Sequence, residues 1–262
     1  MRPLSSYGSW ALVTGASAGI GTAFARRLAE SGLNVVLTAR REDRLRALAT
    51  ELESRSRVQT RCVPLDLAAD GAPLRLADAV RDLEIGVVVN NAGFGMAGRF
   101  ERADYDRLLE MVRLNCGAVT ALSRLFLPAM RARGRGAMIV LASTAGYQPL
   151  ALAAVYGATK AFDLMLAEAL WAENRGSGVD VLAVSPGPVD TEFQTVAGET
   201  PHPGATPEQV VSAALAALGQ KPSVIVGPVN KVRAWSIRLA PRALVARIAE
   251  QVMRANVPAE AR

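Results

Sequence analysis

The sequence predicts an α/β fold, a doubly wound parallel β-sheet of about seven strands with helices on both faces. Three observations point to it. Short apolar, β-branched runs alternate with longer segments of helical periodicity from Trp10 to Val226 without a break. Those runs are apolar at consecutive positions, as parallel strands covered on both sides require. The first of them ends in Thr14-Gly15-Ala16-Ser17-Ala18-Gly19-Ile20-Gly21, a glycine-rich turn that opens a helix.

Trp10 to Ala16 reads as the first strand and its turn. Ile20, Phe24 and Leu28 then recur at helical spacing until Ser31-Gly32 stops them. Val35 to Ala39 is the second strand. Arg41 to Arg55 is a charged helix whose apolar stripe is Leu45, Leu48 and Leu52. Val58 to Leu65 is the third strand, followed by Asp66. Ala72 to Leu83 makes a helix, and Ile85 to Val89 a fourth strand running into Asn90-Asn91-Ala92-Gly93. Asp104 is the N-cap of one long helix through Met130, which accommodates Pro128 only near its end. Ala137 to Ala142 is strand five, Ala151 to Asn174 a helix, and Val179 to Val184 strand six. Thr206-Pro207-Glu208-Gln209 is a capping box with Pro at the first helical position, opening a helix to Leu218. Ser223 to Val226 is the seventh strand. No repeat, low-complexity tract or linker interrupts the series, so 1–262 reads as one domain with an amphipathic C-terminal extension at about 229–256.

Half of the 262 residues are hydrophobic, enough for one large core. Cys62 and Cys116 are far apart and match no metal or redox spacing, so they read as core residues in a reducing compartment, and no metal site is expected. Met1 to Trp10 lacks the apolar stretch of a secretory signal, and no uncharged apolar run is long enough to span a membrane. A cytoplasmic location is the expectation. The net charge of +6 comes from scattered arginines without a basic stripe or interleaved aromatics, which argues against a nucleic-acid partner.

The chemistry concentrates in Tyr156-Gly157-Ala158-Thr159-Lys160. Four residues apart on a helix, Tyr156 and Lys160 share a face. An ammonium there favours the phenolate and is expected to pull the phenol from its usual pKa of about 10 toward neutrality. The turn from Gly15 through Gly19 to Gly21 suits a pyrophosphate approaching a helix N-terminus. Its spacing is G-x-x-x-G-x-G rather than the general dinucleotide fingerprint. At the end of the second strand Thr38-Ala39-Arg40-Arg41 has no acid to take a ribose 2′-hydroxyl. An arginine suits a 2′-phosphate, so NADP(H) is favoured over NAD(H), with Arg40 the phosphate ligand and Arg41 a stacking partner for adenine.

Taken together these motifs resemble the short-chain dehydrogenase/reductase family in its compact, single-domain form, over roughly the first 200 residues. Thr14 to Gly21 is similar to the family's cofactor loop, and Asp66 to its acid near adenine. Asn90-Asn91-Ala92-Gly93 matches the family's N-N-A-G, Asn115 its helix asparagine, and Ser143 its active-site serine. Pro186-Gly187 and Thr191 match its P-G-x-x-x-T segment beside the nicotinamide. The resemblance implies a Rossmann-like fold and a carbonyl–alcohol oxidoreductase. Tyr156 would be the general acid or base, and Ser143 a hydrogen-bond donor to the same oxygen. Lys160 would tune Tyr156 and hold a ribose, and Asn115 would position a water that links Lys160 to solvent. The expected cofactor contacts are Gly15, Ser17, Ala18, Gly19, Ile20, Gly21, Arg40, Arg41, Asp66, Leu67, Asn91, Ala92, Gly93, Tyr156, Lys160, Pro186, Gly187, Val189 and Thr191. Ala18 departs from relatives that carry a basic residue before the second glycine, which leaves the phosphate mainly to Arg40.

A substrate pocket is expected from Phe94, Ser143, Tyr147, Gly187 and Phe193, with Met96, Gln148 and Pro149 as further lining. Phe193 to Gly204 reads as a mobile lid, His202 as loop, and Glu168 and Glu173 as surface or subunit-contact charges. In the tail, Val232, Trp235 and Leu239, then Leu244, Ile248 and Val252, are interleaved with basic residues and broken at Pro241. That pattern fits helices covering the cleft or a subunit interface, or else a membrane surface. Family members with similar tails include reductases of 3-oxoacyl chains and hydroxysteroids, so the resemblance leaves room for a lipid-like small-molecule substrate. The resemblance also implies a homodimer or homotetramer. A cofactor-binding scaffold without turnover is the alternative of another class, against which Tyr156 and Lys160 are both present.

Overall fold

A computed structural model describes residues 2–262. Seven strands form one sheet: β1 (Trp10–Thr14), β2 (Asn34–Ala39), β3 (Thr60–Pro64), β4 (Ile85–Asn90), β5 (Gly136–Leu141), β6 (Val179–Ser185) and β7 (Ser223–Ile225). Their order is β3-β2-β1-β4-β5-β6-β7 and every pairing is parallel. The chain moves outward from β1 to β3, then crosses back to β4 on the other side of β1. That reversal opens a crevice at the carboxyl ends of β1 and β4, where ligands of such sheets bind.

The helices are α1 (Gly19–Glu30), α2 (Glu42–Ser56), α3 (Ala72–Ala79), α4 (Tyr105–Val112), α5 (Val119–Arg133), α6 (Ala154–Glu173), α7 (Phe193–Val196), α8 (Pro207–Ala217), α9 (Pro228–Ser236) and α10 (Arg242–Asn256). In β1, Ala11 and Val13 face Phe24 and Leu28 of α1, Leu45 and Leu52 of α2, and Val210 of α8. Leu12 faces the opposite layer, built on Leu76 of α3, Leu122 of α5 and Leu164 of α6. Both faces are covered, which is why the middles of the central strands are apolar at consecutive positions. Among the described residues no helix is long and apolar enough to cross a membrane.

Three helices differ from the sequence-based expectation, among them α3, which stops at Ala79 rather than Leu83. The single helix from Asp104 to Met130 is broken into α4, a π-helical turn (Arg113–Ala118) and α5, which runs on to Arg133. Asp104 does cap it, accepting a hydrogen bond from Arg107 N at 2.7 Å. The wider turn carries Asn115, whose buried side chain bonds outside its own helix. Helix α6 starts at Ala154 rather than Ala151, because Leu152 takes a left-handed φ of 63°.

The capping box at Thr206 forms as read, its hydroxyl accepting from Gln209 N and the Gln209 side chain accepting from Thr206 N. Thr206→Ala should cost about 1 kcal/mol and lower Tm by about 2–4 °C. A melting curve that superimposes on the wild type would show that the cap contributes nothing.

Candidate active site

The crevice is one cavity of about 1270 Å³. At one end Gly15, Ser17, Ala18, Gly19 and Ile20 line it. No side chain caps α1, and no acid stands in its first turn. Its first N–H groups are therefore free to meet an anion. Gly21 does not line the cavity, contrary to the expected contact. A Cβ there would sit 2.3 Å from Gly15 O, so this glycine lets the turn close on its own helix. The Thr14 hydroxyl accepts from Asn91 N and Ala92 N, both at 2.9 Å, and Asn91 Nδ2 donates to Thr14 O at 2.8 Å. These bonds join the ends of β1 and β4, and Asn91, Ala92 and Gly93 line the cavity beside them.

Asp66 and Leu67 also line it, the Asp66 carboxylate accepting from Ala68 N at 3.0 Å. Arg40 and Arg41 both reach the cavity. Arg40 is exposed and only loosely held, 3.5 Å from Glu110. Arg41 is not free to lie on an adenine as expected. Its Nε and Nη2 donate to Ser17 Oγ at 3.2 and 3.1 Å, and its Nη1 pairs with Glu192 at 2.7 Å. Arg44 holds the other oxygen of Glu192 at 2.6 Å. Hydrogen bonds from Arg41 and Arg44 hold the Glu192 carboxyl below its ordinary pKa.

Ser143, Tyr156 and Lys160 share the cavity wall. Ser143 opens a short 3-10 turn, Thr144–Tyr147, its hydroxyl accepting from Ala145 N at 3.1 Å and lying 3.4 Å from Pro186 O. That turn packs on α6 through Gly146, where a Cβ would come within 2.6 Å of the Lys160 backbone. Lys160 is buried. Its Nζ donates to Leu141 O at 2.7 Å and to Asp163 Oδ2 at 2.9 Å.

Burial pushes the Tyr156 phenol up, and the Lys160 charge and the Ser143 hydrogen bond pull against it without prevailing. The expected net depression is therefore not observed: desolvation outweighs the ammonium. At Lys160 burial disfavours the charged form, but Asp163, then Tyr156, more than restore it, and its pKa stands above the ordinary lysine value.

Asn115 is absent from the wall. Its Nδ2 donates to Phe94 O and Thr159 Oγ1, both at 3.0 Å, and its Oδ1 accepts from Phe94 N at 3.2 Å. The side chain ties the Phe94 loop to α6.

On the remaining side Phe94, Gly187 and Phe193 line the cavity with Pro186, Val189 and Thr191. The Phe193 ring lies 5.5 Å from that of Tyr156. Tyr147 is not on this wall; it packs against the core cluster of α3, α5 and α6. Met96 and Pro149 are also off the wall, whereas Gln148 is on it.

The segment after Phe193, read as a lid, folds against the crevice. It begins as α7, and the buried Gln194 side chain brackets His202, donating to its O at 2.9 Å and accepting from its N at 2.7 Å. This sets Glu199 and His202 on the cavity wall. Burial raises the Glu199 carboxyl pKa against the opposing pull of His202. Glu168, read as a surface charge, is tied within the chain by Ser223 Oγ at 2.7 Å.

Helices α9 and α10 close the far side, with Ala234, Val245, Ala249 and Met253 buried against it. Ile248 and Val252 share the lining, whereas Val232, Trp235 and Leu239 face outward and stay exposed. The buried face of the tail thus covers the cleft, while an apolar face with Val232, Trp235, Leu239 and Leu244 remains exposed.

Residues 9–202 match the family described as short chain dehydrogenase. The chain belongs to the short-chain dehydrogenases. It is 30% identical over 253 residues to the very-long-chain 3-oxoacyl-CoA reductase of Macaca fascicularis, spanning 95% of this chain and 81% of that protein. Among solved structures it is similar to a 7β-hydroxysteroid dehydrogenase, with a TM-score of 0.89, 29% identity and coverage of 95% and 99% of the two chains. It is also similar to a short-chain dehydrogenase from Sphingobium yanoikuyae in complex with NADPH, with a TM-score of 0.78, 30% identity and coverage of 90% and 98%. As a short-chain dehydrogenase the protein is an oxidoreductase that works with a nicotinamide cofactor on a small molecule. The glycine turn, the uncapped N-terminus of α1 and the arginines beside them fit such a dinucleotide.

Residues at or near the wall of this short-chain dehydrogenase that the sequence does not single out include Asp163, Glu192, Glu199 and Asn230. Asp163 had a signal, a lone carboxylate one helical turn past Lys160 inside an apolar run. Glu192 follows the motif residue Thr191 directly. Glu199 and Asn230 had none, since only the folding of the lid loop and α9 onto the crevice brings them to the cavity.

Proposed function

We propose that this short-chain dehydrogenase is an NADP(H)-dependent oxidoreductase interconverting a ketone or aldehyde and its alcohol, with Tyr156 as general acid and base. The observation that carries this reading is the meeting of Ser143, Tyr156 and Lys160 on one wall of a cavity continuous with the glycine turn. The Gly15 to Ile20 turn would take the pyrophosphate, Asp66 and Leu67 the adenine, and Arg40 the 2′-phosphate, with Arg41 beside it turned to Ser17 and Glu192. Lys160 would hold a ribose, and Pro186, Gly187, Val189 and Thr191 would border the nicotinamide.

The bound cofactor supplies or accepts a hydride. In reduction Tyr156 gives its proton to the carbonyl oxygen, and Ser143 donates a hydrogen bond to the same atom as charge develops. In oxidation Tyr156 takes that proton back. The roof of Ala234, Val245, Ala249 and Met253 favours a bulky, apolar substrate. A 3-oxoacyl chain or a hydroxysteroid is the narrower reading, supported by the names of the similar proteins.

The test is a panel of simple ketones, 3-oxoacyl thioesters and steroids, each offered with NADPH and with NADH. Carbonyl-dependent NADPH oxidation by the wild type is expected, and its absence across the panel would sink the reading.

We also infer a homodimer or homotetramer built on α4 and α6, which expose Tyr105, Leu109, Val112, Phe162 and Met165. Phe162→Asp combined with Met165→Asp should shift sedimentation velocity from oligomer to monomer. A wild-type chain that sediments as a monomer would refute this. The half-buried, unpaired Cys62 and Cys116 fit a reducing compartment, and the cytoplasm is our proposal.

A further inference from the structure

Asp163 lies on α6 one turn beyond Lys160 and is wholly buried. Its Oδ2 accepts from Lys160 Nζ at 2.9 Å, and its Oδ1 has no hydrogen-bond partner among the described residues. A buried ion pair is a poor way to stabilise a core, since apolar residues of similar volume commonly serve as well or better. A half-satisfied carboxylate inside an otherwise apolar stretch, Leu164 and Ala167 beside it, needs another reason.

The surroundings supply one. Tyr156 faces Lys160 from the same helix and Cys116 from the π-helical turn, whereas β5 offers only the Leu141 carbonyl. From the lid loop Glu199 acts on Tyr156. Asp163 is therefore the carboxylate in contact with the ammonium. An ammonium has three N–H donors; Leu141 O and Asp163 take two, which fixes the head group and leaves one for the cavity.

We propose that Asp163 is a positioning residue, the counter-ion that keeps the Lys160 ammonium fixed and charged beside Tyr156. The inference rests on the reading of Lys160 as a working residue of the site. Without the carboxylate, burial acts on Lys160 against weaker opposition and it gives up its proton at lower pH. If Lys160 keeps its charge instead, Tyr156 loses a repelling anion and ionises earlier. The working form pairs a charged Lys160 with a protonated Tyr156, and each route removes one of the two at lower pH.

In Asp163→Asn the alkaline limb of kcat for carbonyl reduction should move toward neutrality by about one pH unit, a tenfold loss on that limb. The substrate KM should stay unchanged. Asp163→Glu, which keeps the charge, should leave the limb near its wild-type position. A folded Asp163→Asn variant with a wild-type pH profile would overturn the proposal.

A second measurement needs neither substrate nor a folded variant: competitive acetylation of Lys160 by acetic anhydride in the wild type, followed against pH by mass spectrometry. Lys160 should label with an apparent pKa at or above about 10.4, the ordinary lysine value; a value well below that would refute the counter-ion role. Should the wild type reduce no carbonyl at all, the proposed function falls, and labelling still decides the part played by Asp163.

Discussion

Tyr156→Phe is expected to lower kcat for carbonyl reduction by about a hundred- to ten-thousand-fold, the range for loss of a positioned proton donor. The Kd for NADPH should be unchanged. The ring sits on the cavity wall and packs against Phe193, and phenylalanine preserves that contact while removing the hydroxyl. The wild-type pH dependence follows from the same environment. Burial raises the Tyr156 pKa above its ordinary 10.0. Reduction uses the protonated phenol, so its rate should be flat through neutral pH and fall only on the alkaline side. Oxidation uses the phenolate and should rise over that same alkaline interval. Stopped-flow reduction and steady-state oxidation between neutral and alkaline pH check both limbs. A Phe variant with wild-type turnover would remove Tyr156 from the chemistry.

The second large effect concerns cofactor choice. Charge-assisted hydrogen bonds contribute about 1.5–3 kcal/mol each, and 1.4 kcal/mol is about tenfold in affinity. Arg40→Asp should therefore reduce the NADPH-to-NADH preference in kcat/KM by at least about tenfold, with most of the change in KM for NADPH. Arg40 is exposed and held only by a long contact to Glu110, so its loss should leave the fold intact. Arg41 is committed to Ser17 and Glu192, and a 2′-phosphate near it would compete with Glu192 for the guanidinium. Unchanged preference in Arg40→Asp would move the phosphate contact to Arg41.

The reading of particular elements shows what kinds of information a chain carries locally. Leu45, Leu48 and Leu52 announce the buried face of α2 because helical spacing alone brings them together. Tyr156 and Lys160 share a face for the same reason. Asn115 could be singled out, but its surroundings could not: its partners are Phe94 and Thr159, 21 and 44 residues away. The direction of the Tyr156 shift is not legible in the chain, because a neighbouring charge is visible there and desolvation is not. Tyr147 was placed in the pocket by its nearness to Ser143 in sequence, and the turn through Gly146 directs it to the core instead.

By itself the sequence determined the doubly wound sheet, the glycine turn at the head of α1 and the Ser143, Tyr156 and Lys160 set. Periodicity and motif order are properties of residues near one another in the chain. Only the tertiary structure decided that α9 and α10 roof the cleft, that Glu192 engages Arg41, and that Asp163 is buried against Lys160. Those facts depend on which surfaces lose water when distant segments pack, and burial is what sets the charge state and reach of each group.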